Sequence, residues 1–284
     1  MARILSGKEV VSSINAKVKE DVLKLELKGI NPKLATLRVG EREDDISYER
    51  GASKRCARVG VDIENIVLPE DVSQETLLSK IHDLNKDDTI HGILLFRPLP
   101  KHIDDKVVRN SISADKDIDG ITDQSMVGIY TGENVGFPPC TPQACIEILD
   151  HYGIEITGKN AVVIGRSLVV GKPAALMLMK RNATVTVCHT RTIDMPSVVK
   201  RADIVIVSAG KAGIIGKEYL REGQIVLDVG INVNADGKLC GDVNFEEAQG
   251  IVEAITPVPG GVGTVTTSVL VKHVVEAAKR KLKS

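Results

Sequence analysis

What most constrains this chain is its alternation of short Val/Ile-rich runs with stretches of helical period, the order from which α/β proteins with a mainly parallel sheet are built. In the first half a helix is expected over about 7–29, a strand in KLATLRVG (33–40), a helix over about 45–59 and a strand in DIENIVLP (62–69). A helix from SQETLLSKIHDLN and a strand in IHGILLFRPLP follow. Ser73 with Thr76 and Leu77 suits the start of that helix, although Glu75 stands one residue short of a full capping box. The stretch TGENVGFPPCTP (131–142) holds two glycines and three prolines, which neither a helix nor a central strand tolerates, so it reads as the linker.

Beyond it the rhythm restarts with NAVVIG (160–165), TVTVCH (184–189), DIVIVSAG (203–210) and QIVLDVG (224–230), then IVEAITP (251–257). Continuous apolar runs of this kind are expected of parallel strands covered on both faces. From about Thr266 to Lys283 the pattern is an amphipathic helix, and its basic end, AAKRKLKS, complements the helix macrodipole. A length of 284 residues suits two modest domains.

Composition narrows the function classes. Lys plus Arg total 37 against 38 Asp plus Glu, so no field favours nucleic acid as a partner. Without an apolar run near the ~20 residues of a bilayer span, no membrane partner is expected. Five cysteines without a CxxC pair argue for reduced thiols, and six histidines without ligand spacing argue against a metal site. The opening MARILSGKEVV resembles neither a signal nor a transit peptide, so a cytoplasmic protein is expected.

The segment AVVIGRSLVVGKPAALMLMK reads as strand, glycine turn and helix, with Pro173 suited to the first helical position. Such a helix start at a strand's carboxyl end is where doubly wound folds hold a dinucleotide phosphate. The spacing Gly165-x5-Gly171 fits neither GxGxxG nor a P-loop, which disfavours a nucleotide kinase or ATPase. After the second strand comes His189-Thr190-Arg191, with no acid until Asp194. Arg166 and Arg191 suit a 2′-phosphate and Thr190 can donate to it, so the expected cofactor is NADP rather than NAD.

The ordered motifs DKDIDG (115–120), PPCTP (138–142), VVIGRSLVVGKP (162–173), ATVTVCHTRT (183–192), DVGIN (228–232), GDV (241–243) and TPVPGGVGTVT (256–266) resemble the methylenetetrahydrofolate dehydrogenase/cyclohydrolase family over nearly the whole chain. The resemblance implies an α/β substrate domain (1–142 and 266–284) and a Rossmann-like NADP domain (143–265) facing across a cleft, in a homodimer. It implies NADP-dependent oxidation of 5,10-methylenetetrahydrofolate to the methenyl compound by hydride transfer. Tyr48 would stack on the aminobenzoyl ring of this small-molecule folate, Asp119 would hydrogen-bond the pterin, and Pro259, Gly260 and Gly261 would line the cleft. Gly165, Arg166, Ser167, Gly171, Thr190, Arg191 and Ile231 would hold the cofactor. An aromatic face, a carboxylate matched to a donor-rich heterocycle and glycines permitting close approach suit those tasks.

The chain departs from the family at three positions. Bifunctional members use a lysine four residues after the tyrosine to hydrolyse the methenyl product, and here that residue is Ala52. The Tyr48-to-Gly60 interval matches their pattern without a gap, which secures the register. Lys54 lies ~120° around the helix from the vacated position, against ~40° between residues 48 and 52. The glutamine that partners the lysine is replaced by Phe96, and Thr264 stands where proline is usual. Loss of a positioned base removes ~10²–10⁴ of rate, so cyclohydrolase activity is expected to be weak or absent. Two alternatives remain: a bifunctional enzyme using Lys54, Arg50 or Arg97 as substitute base, and a noncatalytic dinucleotide-binding module. Folate binding separates the module from either enzyme.

Overall fold

The computed structural model describes residues 1–234 and 236–282. In chain order the elements are β1 (Arg3–Ile4), α1 (Gly7–Glu26), β2 (Lys33–Val39), α2 (Glu43–Val59), β3 (Asp62–Leu68), α3 (Gln74–Lys86), β4 (Gly92–Leu95), α4 (Asp105–Arg109), α5 (Asp123–Thr131) and α6 (Cys140–His151). They continue with β5 (Asn160–Ile164), α7 (Gly171–Lys180), β6 (Thr184–Cys188), α8 (Met195–Lys200), β7 (Ile204–Val207), β8 (Ile225–Asp228), β9 (Asn232–Val233), β10 (Leu239–Cys240), α9 (Phe245–Ala248), β11 (Ala254–Ile255) and α10 (Val262–Arg280).

Two compact units result. One is Met1–Ser12 with Thr141–Thr266, the other Ser13–Cys140 with Thr267–Ser284. The sequence division assigned residues 1–142 to the substrate side, whereas Met1–Ser12 belongs with the second half. The reason is β1, a two-residue strand that pairs in parallel with β11, Arg3 opposite Ala254 and Ile4 opposite Ile255.

The unit containing Thr141–Thr266 carries a six-stranded sheet in the order β1-β11-β8-β7-β5-β6, every neighbouring pair parallel. The order β6-β5-β7-β8-β11 is a doubly wound arrangement with its switch point between β5 and β7. Val162, Ile164, Val205, Val207, Val226 and Ile255 form its core with Cys188, Val199 and Val252. β6 departs from the expectation of strands buried on both faces. It is the edge strand, and Val187 remains 39% exposed.

The other unit has a three-stranded parallel sheet, β3-β2-β4. Ala35, Leu37, Val39, Ile93 and Leu95 pack with Leu77, Ile81 and Leu84 of α3. Ser73 caps α3 by accepting from the Thr76 amide at 3.1 Å, as its sequence suggested. The last strand of this sheet stops at Leu95, and the FRPLP segment turns away instead of extending it. α10 begins at Val262, four residues before the expected start. Thr264 sits in its first turn and donates its amide to the Gly261 carbonyl at 3.1 Å, a bond proline could not make.

Candidate active site

α2 buries one stripe, Asp45, Glu49, Ala52, Cys56 and Val59, at the three- and four-residue spacing of a helix face. Three acids open the helix and Gly60, at φ 81°, closes it by donating to the Cys56 carbonyl. Beneath the stripe Glu49 accepts from the Thr36 hydroxyl at 2.9 Å, and Arg38 lies 3.6 Å from its other oxygen. Tyr48, next to this anchor, keeps 38% of its surface exposed.

In DKDIDG the charges have separate fates. Lys116 is buried and donates to the carbonyls of Leu84 and Asp87, both at 2.7 Å. Asp117 is fully buried and accepts from the amides of Ile121 and Thr122 and from the Ser125 hydroxyl. Gly120, at φ 65°, permits the turn, and a Cβ there would strike the backbone of Phe137–Pro139. Asp115 is exposed, 3.9 Å from Arg280, and Asp119 is half-buried on the Tyr48 side.

Four polar groups therefore converge in this unit. Asp119 and Cys140 lie near enough to the Tyr48 hydroxyl to raise its pKa, and Thr267 lies beside it and lowers it. Cys140 donates to the Ile118 carbonyl at 3.3 Å, and His273 Nδ1 reaches the same oxygen at 2.8 Å, which fixes the turn bearing Asp119. Desolvation raises the Asp119 pKa to about 6; the neighbouring Cys140 thiol lowers it, Asp117 adds to the rise and Arg97 opposes it. Burial likewise raises the Tyr48 pKa, with Asp119 adding to it.

Ala52 is fully buried, and the Phe96 ring meets Tyr48 edge-on with centroids 6.0 Å apart. Position 96 is thus beside the tyrosine, with a hydrocarbon face where the family has an amide. Of the substitute bases named above, Lys54 and Arg50 are exposed, and Arg97 pairs with Asp105 through two guanidinium nitrogens.

In the other unit, Gly165 and Ser208 follow the ends of β5 and β7, at the switch point. Gly165 has φ 118°, and a Cβ on it would overlap the Ser208 carbonyl and hydroxyl; a Cβ on Gly171 would overlap the Gly165 carbonyl. Both glycines are required by the turn's own tightness. Ser167 shapes it further, its hydroxyl accepting from Val170 at 3.1 Å and Gly171 at 3.4 Å. Pro173 is the third helical residue rather than the first, still within the turn whose amides need no intrahelical acceptor.

Arg166, Thr190 and Arg191 are exposed after β5 and β6. The turn bearing Thr190 and Arg191 is tied by His189, whose Nδ1 accepts from the Arg191 amide at 3.1 Å, and by Thr192, whose hydroxyl accepts from His189 N at 2.9 Å. Ile231, after β8, is 67% exposed, and a Cβ on Gly263 would come within 3.2 Å of it. Pro259-Gly260-Gly261 form a bend at which the Gly260 carbonyl accepts from Gly7 at 2.8 Å. Among the described residues no group of three or more His, Cys, Asp or Glu could hold a metal ion.

Two family models match consecutive parts of the chain. Residues 5–119 match the tetrahydrofolate dehydrogenase/cyclohydrolase catalytic domain, and residues 139–282 match that family's NAD(P)-binding domain. The chain belongs to the tetrahydrofolate dehydrogenase/cyclohydrolase family. A relative from Alkaliphilus oremlandii, named bifunctional protein FolD, is 50% identical over 279 residues, 98% of each chain. The bifunctional dehydrogenase/cyclohydrolase of Campylobacter jejuni superposes with a TM-score of 0.96 at 40% identity, covering 99% of this chain and 100% of its own. The Trypanosoma brucei enzyme, solved with NADP cofactor and inhibitor, gives 0.91 at 36% identity over 100% and 99%.

The tetrahydrofolate dehydrogenase/cyclohydrolase fold thus agrees with the two-domain α/β reading and its parallel-sheet dinucleotide domain. The relatives' names do not support the expectation of weak or absent cyclohydrolase activity; they fit the bifunctional alternative better. Tyr48 and Asp119 are brought together, and the cofactor candidates gather at the strand ends of their sheet. Thr267 and Cys140 joined the Tyr48 cluster unforeseen. Only the PPCTP motif around Cys140 offered a signal in sequence; Thr267 arrives from a helix more than two hundred residues away.

Proposed function

We propose that the protein oxidises 5,10-methylenetetrahydrofolate to 5,10-methenyltetrahydrofolate, with NADP as hydride acceptor. The observation carrying this reading is the exposed Tyr48 ring set against Phe96, with the neighbouring Asp119 carboxyl on a turn fixed by Cys140 and His273 through the Ile118 carbonyl. Tyr48 stacks on the aminobenzoyl ring, and Asp119 accepts hydrogen bonds from the pterin. Neither needs to move a proton in hydride transfer; the task of the side chains is to hold the reacting carbon in a near-attack geometry. The turn from Gly165 to Gly171, which any Cβ would fill, suits a pyrophosphate approached by backbone. Gly165, Arg166, Ser167, Gly171 and Ile231 would hold the dinucleotide. Bound NADP supplies an electrophilic nicotinamide that takes the hydride.

Arg166, Thr190 and Arg191, with no acid before Asp194, favour the 2′-phosphate, and the Trypanosoma brucei relative binds NADP. Arg191→Ala is expected to raise the KM for NADP by about ten- to a hundredfold, the value of one charged hydrogen bond, while leaving that for NAD nearly unchanged. Steady-state kinetics with both cofactors checks it. A cytoplasmic homodimer completes the reading: the cysteines are free thiols, and the exposed edge of β6 offers a strand for pairing. No helix among the described residues is long and apolar enough to cross a membrane.

For hydrolysis of the methenyl product, the relatives' shared name favours a protein with both activities, which here requires a base other than residue 52. A dehydrogenase with little hydrolysis is the second reading, favoured by buried Ala52 and by Phe96 against Tyr48. Purified protein given methylenetetrahydrofolate and NADP separates them. Decay of the methenyl species above its uncatalysed rate supports two activities, and decay at that rate supports one. Under the second reading, Ala52→Lys with Phe96→Gln gains about 10²–10⁴ in hydrolysis with oxidation largely retained.

A further inference from the structure

Two buried carboxylates lie at the carboxyl ends of β7, β8 and β11, in motifs that the assignments above leave without a task. Asp228 ends β8 and is 3% exposed, and Asp242 of GDV is fully buried. The Asp228 amide donates to the Thr256 hydroxyl at 2.8 Å. Its carboxylate accepts from the amides of Gly230 (2.9 Å), Asp242 (3.0 Å) and Val243 (2.9 Å). Asp242 is turned the other way. One of its oxygens accepts from the amides of Ala209 (2.6 Å) and Gly210 (2.9 Å), the other from Lys211 N (2.9 Å) and Asn232 Nδ2 (2.9 Å).

The glycines beside them make room. A Cβ on Gly230 would overlap the Asp242 carboxylate, and one on Gly241 would overlap that of Asp228. DVG and GD are therefore one device, in which each aspartate occupies the space a side chain of its neighbouring segment would need. What Asp242 holds is not interior. Ala209, Gly210 and Lys211 are all exposed, and Gly210 has φ 68°. Four hydrogen bonds accepted by a fully buried carboxylate, three from an exposed loop and one from Asn232, show that this loop's shape is specified from below.

The loop's position says for what. β5 carries the phosphate turn, and β6, on one side of it, carries the residues read as facing the adenosine 2′-phosphate. β7 and β8 lie on the opposite side, where a dinucleotide spanning the switch point places its other half. We propose that Asp242 is a positioning residue for the nicotinamide half of the cofactor, fixing the loop 209–211 after β7 and, through Asn232, the segment after β8. This rests on the dinucleotide reading above.

Asp242→Asn in the full-length protein tests it. An asparagine keeps the volume, but its NH₂ group would face either the amides of Ala209 and Gly210 or those of Lys211 and Asn232, donor against donor. The expected result is NADPH binding weaker by about ten- to a hundredfold, the scale of one or two unsatisfied buried donors. 2′,5′-ADP, which occupies only the adenosine half, is expected to bind within about twofold of wild type by the same calorimetry. The kcat for oxidation falls as well. Equal weakening of both ligands, or unchanged NADPH binding and kcat, overturns the proposal. If Asp242→Asn does not fold, Asn232→Ala removes a single bond from the same carboxylate: selective weakening of NADPH supports the assignment, and its absence refutes it. Wild-type protein that binds neither ligand would instead refute the dinucleotide reading itself.

Discussion

Asp119→Ala is expected to lower kcat/KM for methylenetetrahydrofolate by about ten- to a hundredfold, because hydrogen bonds to one charged group contribute about 1.5–3 kcal/mol. The loss should appear with NADP binding unchanged, since Asp119 lies in the unit built on Ser13–Cys140 and the phosphate turn lies in the other. A pH profile of the native enzyme probes the same carboxyl. Its pKa is raised to about 6, chiefly by desolvation, so it is neutral below that pH and ionised above it. Only the ionised form is an acceptor on both oxygens. The KM for the folate is therefore expected to be flat above about pH 7 and to rise about tenfold between pH 7 and pH 5, with the KM for NADP unaffected. A folate KM that ignores pH across this range would remove Asp119 from the binding site.

Gly165→Ala is expected to abolish measurable dinucleotide binding and to lower the thermal midpoint. An alanine at φ 118° is strained, and its Cβ would overlap the Ser208 carbonyl, a backbone atom at the end of β7 that cannot rotate away. The strain costs about 1–2 kcal/mol and the overlap about 1–3 kcal/mol, together enough to push β5 and β7 apart at the switch point. Calorimetry with NADPH and a melting curve measure the two consequences. Normal binding in this variant would mean that the turn between Gly165 and Gly171 is not the phosphate site.

The two units differ in how far their sites could be read in advance. The glycine turn was legible because its elements adjoin in sequence: β5, the glycines and α7 fall within twenty-one residues, and each glycine has a local steric reason. Ser73 capping α3 was legible for the same cause. The residues around Tyr48 come from separate segments, at 48, 96 and 119, and pattern alone says nothing of their convergence. Resemblance supplied Tyr48 and Asp119, whereas the anchoring of the Asp119 turn by Cys140 and His273 came from packing. β1 escaped notice because two residues carry no period, and it exists through its partner β11. Pro173 suited a helix start wherever the first turn fell, so its register awaited the backbone.

By itself, then, the order of apolar runs determined an α/β chain with a parallel dinucleotide sheet, since short-range periodicity reports which faces must be covered. It also determined that residues 52 and 96 carry neither an amine nor an amide. Only the tertiary structure decided that Phe96 packs against Tyr48, that Met1–Ser12 joins the later half of the chain, and that Asp242 turns its carboxylate toward the loop after β7. Each of those outcomes depends on long-range partners whose burial and hydrogen bonding outweigh any local preference, and such partners leave no spacing in the sequence to be read.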